Sequence, residues 1–217
     1  MNSLTFFGLP MATRFSGSLT DVGRRLFERS FGRMADFLAS SGVSPHILTL
    51  GGLLLTALAT YLYMLIKYQG AFYAIYAGVA LIVGSLLDGL DGAVARRQGR
   101  ATKAGALIDS TTDRVSDTLI ALGIALTGLV EPILVLVMLA LAMLVSYIRA
   151  RGEALGVAMA GVGLGERWVR IIIFIIATLL TPIWQQALAL SVVAVSILAF
   201  ITVVQRIAYA LRCLSNS

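Results

Sequence analysis

Long apolar runs constrain the fold of this 217-residue chain more than any other feature of its sequence. A transmembrane helix needs about 20 mostly apolar residues. Six stretches come close to that length, at 46–66, 71–91, 105–128, 131–150, 167–184 and 186–209. Only 13% of the residues are charged, which is about half the share usual in soluble domains. The sequence therefore predicts an all-α integral membrane protein with six transmembrane helices, and it excludes a soluble globular domain.

The region before the first apolar run has a different pattern, typical of an amphipathic helix on an anionic membrane surface. Between residues 20 and 39, apolar side chains recur at near-helical spacing with arginines between them. The apolar set is Val22, Leu26, Phe31, Met34 and Leu38, and the basic set is Arg24, Arg25, Arg29 and Arg33. A cap packed on the helical bundle is the alternative. We predict an N-terminal cytoplasmic segment over 1–40 and a six-helix transmembrane domain over 41–217.

Basic residues are concentrated at one end of the predicted spans. They precede the first span, follow the second and fourth spans, and recur near the C-terminus, whereas Lys67 stands alone at the opposite end. The positive-inside rule makes the basic side cytoplasmic. We therefore expect a multi-pass protein of the cell membrane with both termini in the cytoplasm. The same rule accounts for the net charge of +6 without a nucleic-acid partner.

Aspartates interrupt the second and third apolar runs, although a charged side chain there costs about 2.5–3.5 kcal/mol on insertion scales. Asp88 and Asp91 are three residues apart, and Asp109 and Asp113 are four apart, so each pair shares one helix face. A short connection lets the two faces meet. Four converging carboxylates need positive charge, and hard oxygen ligands favour Mg²⁺ or Mn²⁺. Structural Asp–Arg pairs between helices are the alternative.

These aspartates belong to a longer spaced string. It runs Asp88-x-x-Asp91-Gly92-x-x-Ala95-Arg96, then eight residues, then Gly105-x-x-x-Asp109-x-x-x-Asp113. The string resembles the signature of the CDP-alcohol phosphotransferase family at all eight fixed positions. Members of that family displace CMP from a CDP-linked lipid with an alcohol. The resemblance therefore implies a phospholipid-synthesis transferase that works at the cytoplasmic face of the membrane.

The resemblance also implies roles for individual residues. The divalent cation would be held by Asp88, Asp91, Asp109 and Asp113. Asp113 would also be the general base that takes the proton of the attacking hydroxyl. The CDP-lipid would be bound by Gly92, Ala95, Arg96, Gly105, Pro45 and Thr49. Ordinary chemistry at a helix start is the alternative for Pro45 and Thr49.

Arginines in the later spans indicate the acceptor alcohol. Arg149 and Arg151 end the fourth span and Arg206 lies within the sixth. An arginine inside an apolar span needs an anionic partner, and guanidinium groups suit a phosphate. The three side chains therefore predict a phosphorylated acceptor. Anchoring at the cytoplasmic face is the alternative for the first two residues, and snorkelling is the alternative for Arg206.

A second stretch, Ser146 to Gly156 followed by Gly165-Glu166-Arg167, resembles the phosphatidylinositol-phosphate and archaetidylinositol-phosphate synthase branch of that family. The resemblance implies inositol 1-phosphate as acceptor, CDP-diacylglycerol or CDP-archaeol as donor, CMP as product, and a homodimer. The sequence departs from the branch at Gly152 and at Leu164-Gly165. Glycerol 3-phosphate, as used by phosphatidylglycerophosphate synthases, is therefore the alternative acceptor. A cation transporter is an alternative of another class, although the acids lie at one end without a matching repeat.

Overall fold

The computed structural model describes residues 19–215, with side chains from residue 25 onward. The first part of the predicted N-terminal segment, and the side chains of Val22 and Arg24, lie outside the described residues. The described range contains seven helices and no strand. They are α1 (Leu19–Ser40), α2 (Pro45–Gln69), α3 (Tyr73–Arg97), α4 (Lys103–Leu126), α5 (Pro132–Ala154), α6 (Arg167–Leu180) and α7 (Gln186–Ser215).

Local sequence sets several of these helix boundaries. Pro45 begins α2 after an extended Ser44, because its missing N–H costs nothing in the first helical turn. Thr102 caps α4 by accepting a hydrogen bond from the Gly105 N–H at 3.0 Å. Gly70 ends α2 with a φ of 110°, a backbone conformation that side chains with a Cβ rarely adopt. The start of α2, the end of α3 and the start of α4 lie at the same end of the molecule, where they line one cavity.

Four helices, α2, α3, α5 and α7, are long and apolar enough to cross a membrane. The prediction of an all-α, multi-pass membrane protein is therefore confirmed. The other two predicted spans differ from these four. α4 has 24 residues but carries several charged side chains in its first half, and α6 has only 14 residues and ends at Leu180 rather than at the predicted 184.

The membrane helices pack in two groups that α4 and α6 connect. α2 contacts α3 and α4, while α5 pairs with α7, and α6 bridges α3 and α7. A Cβ on Gly52 would lie 2.9 Å from the carbonyl oxygen of Gly84, so the backbones of α2 and α3 touch where both residues are glycine. The same Cβ would lie 3.4 Å from the backbone nitrogen of Asp88, so this close crossing places Asp88 against α2.

α1 coincides with the helix predicted from residues 20–39, and it docks on the bundle. Phe27, Phe31 and Ala35 pack in an apolar cluster with residues near the end of α3. The guanidinium of Arg97 contacts Glu28 at 2.8 Å and Asp36 at 2.5 Å. One side of α1 is thus covered by α3, as the alternative of a packed cap predicts, while the side chains of Arg25, Arg29 and Arg33 are exposed.

Candidate metal centre between two cavities

Three aspartates converge where α3 and α4 meet. One carboxylate oxygen from each of Asp88, Asp91 and Asp109 lies within 4.8 Å of the other two. Asp91 is only 4% exposed, and the hydroxyl of Thr49 donates to it at 2.5 Å. Carboxylates at this spacing repel one another unless a cation lies between them. A set of three hard oxygen ligands fits a divalent cation such as Mg²⁺ or Mn²⁺.

Asp113, the fourth predicted metal ligand, lies outside this three-acid group and pairs with arginines instead. Its Oδ1 is 2.6 Å from Nη1 of Arg167, and its Oδ2 is 3.3 Å from Nη1 of Arg114. The same Arg167 nitrogen lies 2.6 Å from Oδ2 of Asp88. The interhelical Asp–Arg pairing that the sequence offered as an alternative to a metal is therefore present beside the three-acid group.

A further ion pair continues this network into the bundle. Nε of Arg167 lies 3.1 Å from Oδ1 of Asp117, and Nη2 of Arg170 lies 3.0 Å from Oδ2 of the same aspartate. Arg170 is buried and also donates to the carbonyl oxygen of Ala142. Because Asp117 accepts from two arginines, its charge is compensated even where the surrounding side chains are apolar.

A cavity of about 410 Å³ opens on one side of the three-acid group. We call it the motif cavity, because the spaced string supplies most of its wall. It is lined by all six residues predicted to bind the CDP-lipid, namely Pro45, Thr49, Gly92, Ala95, Arg96 and Gly105. Asp91 and Asp109 also border it, and Arg100 adds a second positive charge. The α2 start and the α3–α4 connection thus form one pocket beside the acids.

A second cavity, of about 590 Å³, lies on the other side of the acids. We call it the arginine cavity after five residues that line it, Arg114, Arg149, Arg167, Arg170 and Arg206. Asp88, Asp109 and Asp113 also border it. Asp109 is therefore common to both cavities, and the three-acid group lies between them.

The structure brings two of the three predicted acceptor arginines into the arginine cavity. Arg206 is 3% exposed and donates to the carbonyl oxygens of Val145 and Val162 at 2.7 and 2.9 Å. Arg149 is exposed, and its Nε lies 3.0 Å from Oε1 of Glu153. Arg151 is also exposed and is not among the lining residues of the cavity.

Sequence analysis used Arg167 and Arg170 for membrane orientation, and Glu166 and Arg167 for the resemblance to the inositol-phosphate branch, but it assigned none of them to the site. The first two line the arginine cavity beside the acids, and the buried Glu166 accepts from the indole N–H of Trp168 at 3.0 Å. Arg167 and Arg170 are three residues apart, so they share one face of α6. That spacing on an otherwise apolar helix was the signal that could have found them.

Comparisons with known proteins identify a family and relatives of this chain. A family model described as CDP-alcohol phosphatidyltransferase matches residues 42–208. The archaetidylinositol phosphate synthase of Pyrococcus horikoshii is 42% identical over 175 residues, which cover 81% of this chain and 87% of the relative. The phosphatidylinositol phosphate synthase of Streptomyces avermitilis is 33% identical over 224 residues, covering 92% and 88%.

Solved structures of a related enzyme have the same fold. The phosphatidylinositol phosphate synthase PgsA1 of Mycobacterium tuberculosis with CDP-DAG bound superposes with a TM-score of 0.70 at 29% identity, and the match covers 84% of this chain and 94% of that one. The same enzyme in complex with manganese and citrate gives a TM-score of 0.70 at 28% identity, with 82% and 87% covered.

Proposed function

The chain belongs to the CDP-alcohol phosphatidyltransferase family, and from this premise we propose that it transfers the phosphatidyl-type group of a CDP-linked lipid to inositol 1-phosphate and releases CMP. It is an integral-membrane transferase of phospholipid synthesis. One observation carries the proposal: the three-acid group lies between a cavity lined by the motif residues and a cavity lined by arginines.

The motif cavity is the proposed donor site. Arg96 and Arg100 supply positive charge for a diphosphate, and Gly92 and Gly105 contribute no side chain, so a ligand can approach the backbone there. The donor would be CDP-diacylglycerol or CDP-archaeol, whose tails would stay in the bilayer. The PgsA1 structure with CDP-DAG bound supports a donor of this class.

Asp88, Asp91 and Asp109 are the proposed ligands of a divalent cation, Mg²⁺ or Mn²⁺. When bound, the cation would neutralise the charge of the diphosphate and of the departing CMP. Thr49 supports this role because its hydroxyl donates to Asp91 and thereby orients the buried carboxylate. The complex of PgsA1 with manganese is in line with the same cofactor.

Asp113 is the proposed general base. It borders the arginine cavity, from which the acceptor would approach, and Arg167 orients its carboxylate. The acceptor hydroxyl would attack the phosphorus that carries the lipid, the bond from that phosphorus to CMP would break, and the hydroxyl proton would pass to Asp113. Because Asp113 lies outside the three-acid group, its role as a base is better supported than its role as a metal ligand.

Arg149 and Arg206 are the proposed binding residues for the acceptor phosphate. Both line the arginine cavity, and a phosphate there would satisfy guanidinium N–H groups in a site bordered by apolar side chains. The exposure of Arg151, away from the lining of the cavity, favours anchoring at the membrane surface instead. The names of the relatives in Pyrococcus and Streptomyces support inositol phosphate as the acceptor.

We extend the proposal to topology and assembly. α4 and α6 would complete six crossings in the transmembrane domain over 41–217, with both termini and the site in the cytoplasm. α1, in the segment over 1–40, would lie at the cytoplasmic surface with its arginines toward anionic lipid. The enzyme would be a homodimer, as the family resemblance implies. Cysteine labelling from each side of sealed vesicles would test the topology.

A turnover assay with a panel of alcohols tests the acceptor. Purified protein receives one CDP-lipid, Mn²⁺, and either inositol 1-phosphate, glycerol 3-phosphate, inositol or serine, and CMP release is measured. We expect inositol 1-phosphate to be the preferred acceptor. Preference for glycerol 3-phosphate would keep the family and the phosphate site but change the acceptor. Activity with serine alone would contradict the proposed role of Arg149 and Arg206.

A further inference from the structure

Arg167 reaches from α6 into the acids of both α3 and α4. Its Nη1 lies 2.6 Å from Asp88 and 2.6 Å from Asp113, and its Nε lies 3.1 Å from Asp117. One guanidinium therefore contacts three carboxylates, at a place where side-chain exposure is 22% or less. This is more acidic contact than an arginine needs for anchoring at a membrane face.

Asp88 belongs to two arrangements at once. It is a member of the three-acid group that fits a divalent cation, and it is also a partner of Arg167. Two positive charges at one carboxylate repel each other strongly at this distance. Tight binding of a cation by Asp88 therefore opposes the contact between Asp88 and Arg167.

Arg167 keeps other partners when the contact with Asp88 is lost. Asp113 and Asp117 stay within its reach on α4, and Arg170 holds Asp117 in place from the next turn of α6. A guanidinium with five N–H donors can withdraw from one carboxylate and keep its contacts with two others. The network thus allows Asp88 to change partner without leaving a charge buried and unpaired.

We propose that Arg167 is the counter-ion of the three-acid group when no metal is bound. When a divalent cation binds Asp88, Arg167 loses its contact with Asp88 and keeps its contacts with Asp113 and Asp117. This proposal rests on the proposed metal site. Arg167 thereby sets how tightly the site holds its cation and keeps Asp113 aimed at the arginine cavity. It is a positioning residue, because it acts through the aspartates.

Metal affinity tests the proposal directly. If Arg167 competes with the cation, its removal tightens Mn²⁺ binding, whereas loss of a merely structural residue would not. Mn²⁺ binding to purified protein is measured by electron paramagnetic resonance of the free ion, for wild type, R167Q and R114Q. Removal of the competing charge in R167Q should tighten Mn²⁺ binding by about tenfold. R114Q removes the same charge beside Asp113 but no contact with Asp88, so its affinity should change by less than about threefold.

A variant that conserves net charge separates direct competition for Asp88 from the general electrostatic effect of removing one positive charge. R167Q/D117N removes one positive and one negative charge, and the amide oxygen of Asn can still accept from Arg170. If Arg167 competes for Asp88, this variant also binds Mn²⁺ more tightly than wild type. An affinity equal to or weaker than that of wild type would overturn the proposal. The double variant also decides the question if R167Q alone fails to fold.

The two proposals fail in distinguishable ways. If wild-type protein binds no Mn²⁺, the proposed metal site itself is wrong. If wild type binds Mn²⁺ but R167Q binds it no more tightly, or if R114Q and R167Q gain equally, only the counter-ion role is wrong. Turnover provides a second readout: R167Q should lose activity at saturating Mn²⁺, because Asp113 loses the group that orients it.

Discussion

The motif cavity and the arginine cavity meet at Asp109 but are assembled from very different stretches of chain. The motif cavity uses residues between 44 and 109, from the start of α2, the end of α3 and the start of α4. The arginine cavity draws on residues from Phe27 to Arg206 and on six helices. Most residues of the motif cavity are close together in sequence, so they can be recognised as a spaced pattern. The residues of the arginine cavity are brought together by tertiary packing and form no such pattern.

The two cavities also differ in charge. The motif cavity combines two acids with two arginines and small residues, which suits a ligand with an extended diphosphate. The arginine cavity combines five arginines with four acids, so most of its positive charge is already paired within the protein. Substitutions in one cavity should therefore affect one substrate, and substitutions in the shared wall should affect both.

D109N should have the largest effect, because Asp109 borders both cavities and belongs to the three-acid group. Loss of a metal ligand should lower kcat by about 10³-fold and weaken Mn²⁺ binding. Steady-state kinetics with each substrate varied, together with Mn²⁺ titration, measures both effects. D36N makes the same change on α1 outside both cavities and serves as the control. If the D109N enzyme kept more than a tenth of wild-type kcat, Asp109 would not be an essential metal ligand shared by the two cavities.

R206Q should affect the arginine cavity alone. The acceptor phosphate would lose a buried charge-assisted contact, so KM for inositol 1-phosphate should rise by about 100-fold. KM for the CDP-lipid should stay within about twofold, because Arg206 does not line the motif cavity. R212Q, exposed on the same helix, is the matched control. Equal increases in both KM values would mean that the two cavities are not separate sites.

T49V should affect the motif cavity by a smaller factor. Valine keeps the volume of Thr49 but removes the hydroxyl that donates to Asp91. A hydrogen bond to a charged group contributes about 1.5–3 kcal/mol, so Mn²⁺ affinity and kcat/KM for the CDP-lipid should fall by about 10- to 100-fold. KM for the acceptor should be unchanged. T118V, on the exposed side of α4, controls for loss of a hydroxyl that bonds only within its own helix.

R97Q should have the smallest effect. Arg97 links α3 to Glu28 and Asp36 of α1, but both acids are substantially exposed, and exposed ion pairs contribute about 1 kcal/mol or less each. The midpoint of thermal unfolding should fall by a few degrees, roughly 2–6 °C. Limited proteolysis should cut α1 sooner, with kcat reduced by less than about threefold. A loss of activity as large as that of R206Q would mean that α1 contributes to catalysis rather than to packing.

The contrast between the cavities explains what the sequence could predict. Apolar run length was enough for the order of helices. The spacing of Asp88 with Asp91, and of Asp109 with Asp113, was enough to place each pair on one helix face. All six residues assigned to the CDP-lipid line one cavity. Gly92, Ala95, Arg96 and Gly105 belong to the spaced string, which folds locally around the α3–α4 connection, and the start of α2 adds the other two.

The remainder depended on contacts that no local pattern encodes. Arg167 is 50 residues or more from the acids it contacts, so a sequence rule for membrane orientation accounted for it equally well. The same rule could not separate Arg149 and Arg206, which line the arginine cavity, from Arg151, which does not. Run length also could not distinguish α4 and α6, whose charged side chains line the arginine cavity, from the four helices that are long and apolar enough to cross a membrane.

The central claim is that Asp88, Asp91 and Asp109 share one cation between the two cavities. An anomalous difference map from crystals grown with Mn²⁺ tests it most directly. We predict a manganese peak with oxygen atoms of all three aspartates about 2 Å away, and no such peak in crystals of D109N. A manganese peak bound elsewhere, with the three carboxylates unliganded in an enzyme that still releases CMP, would contradict the account.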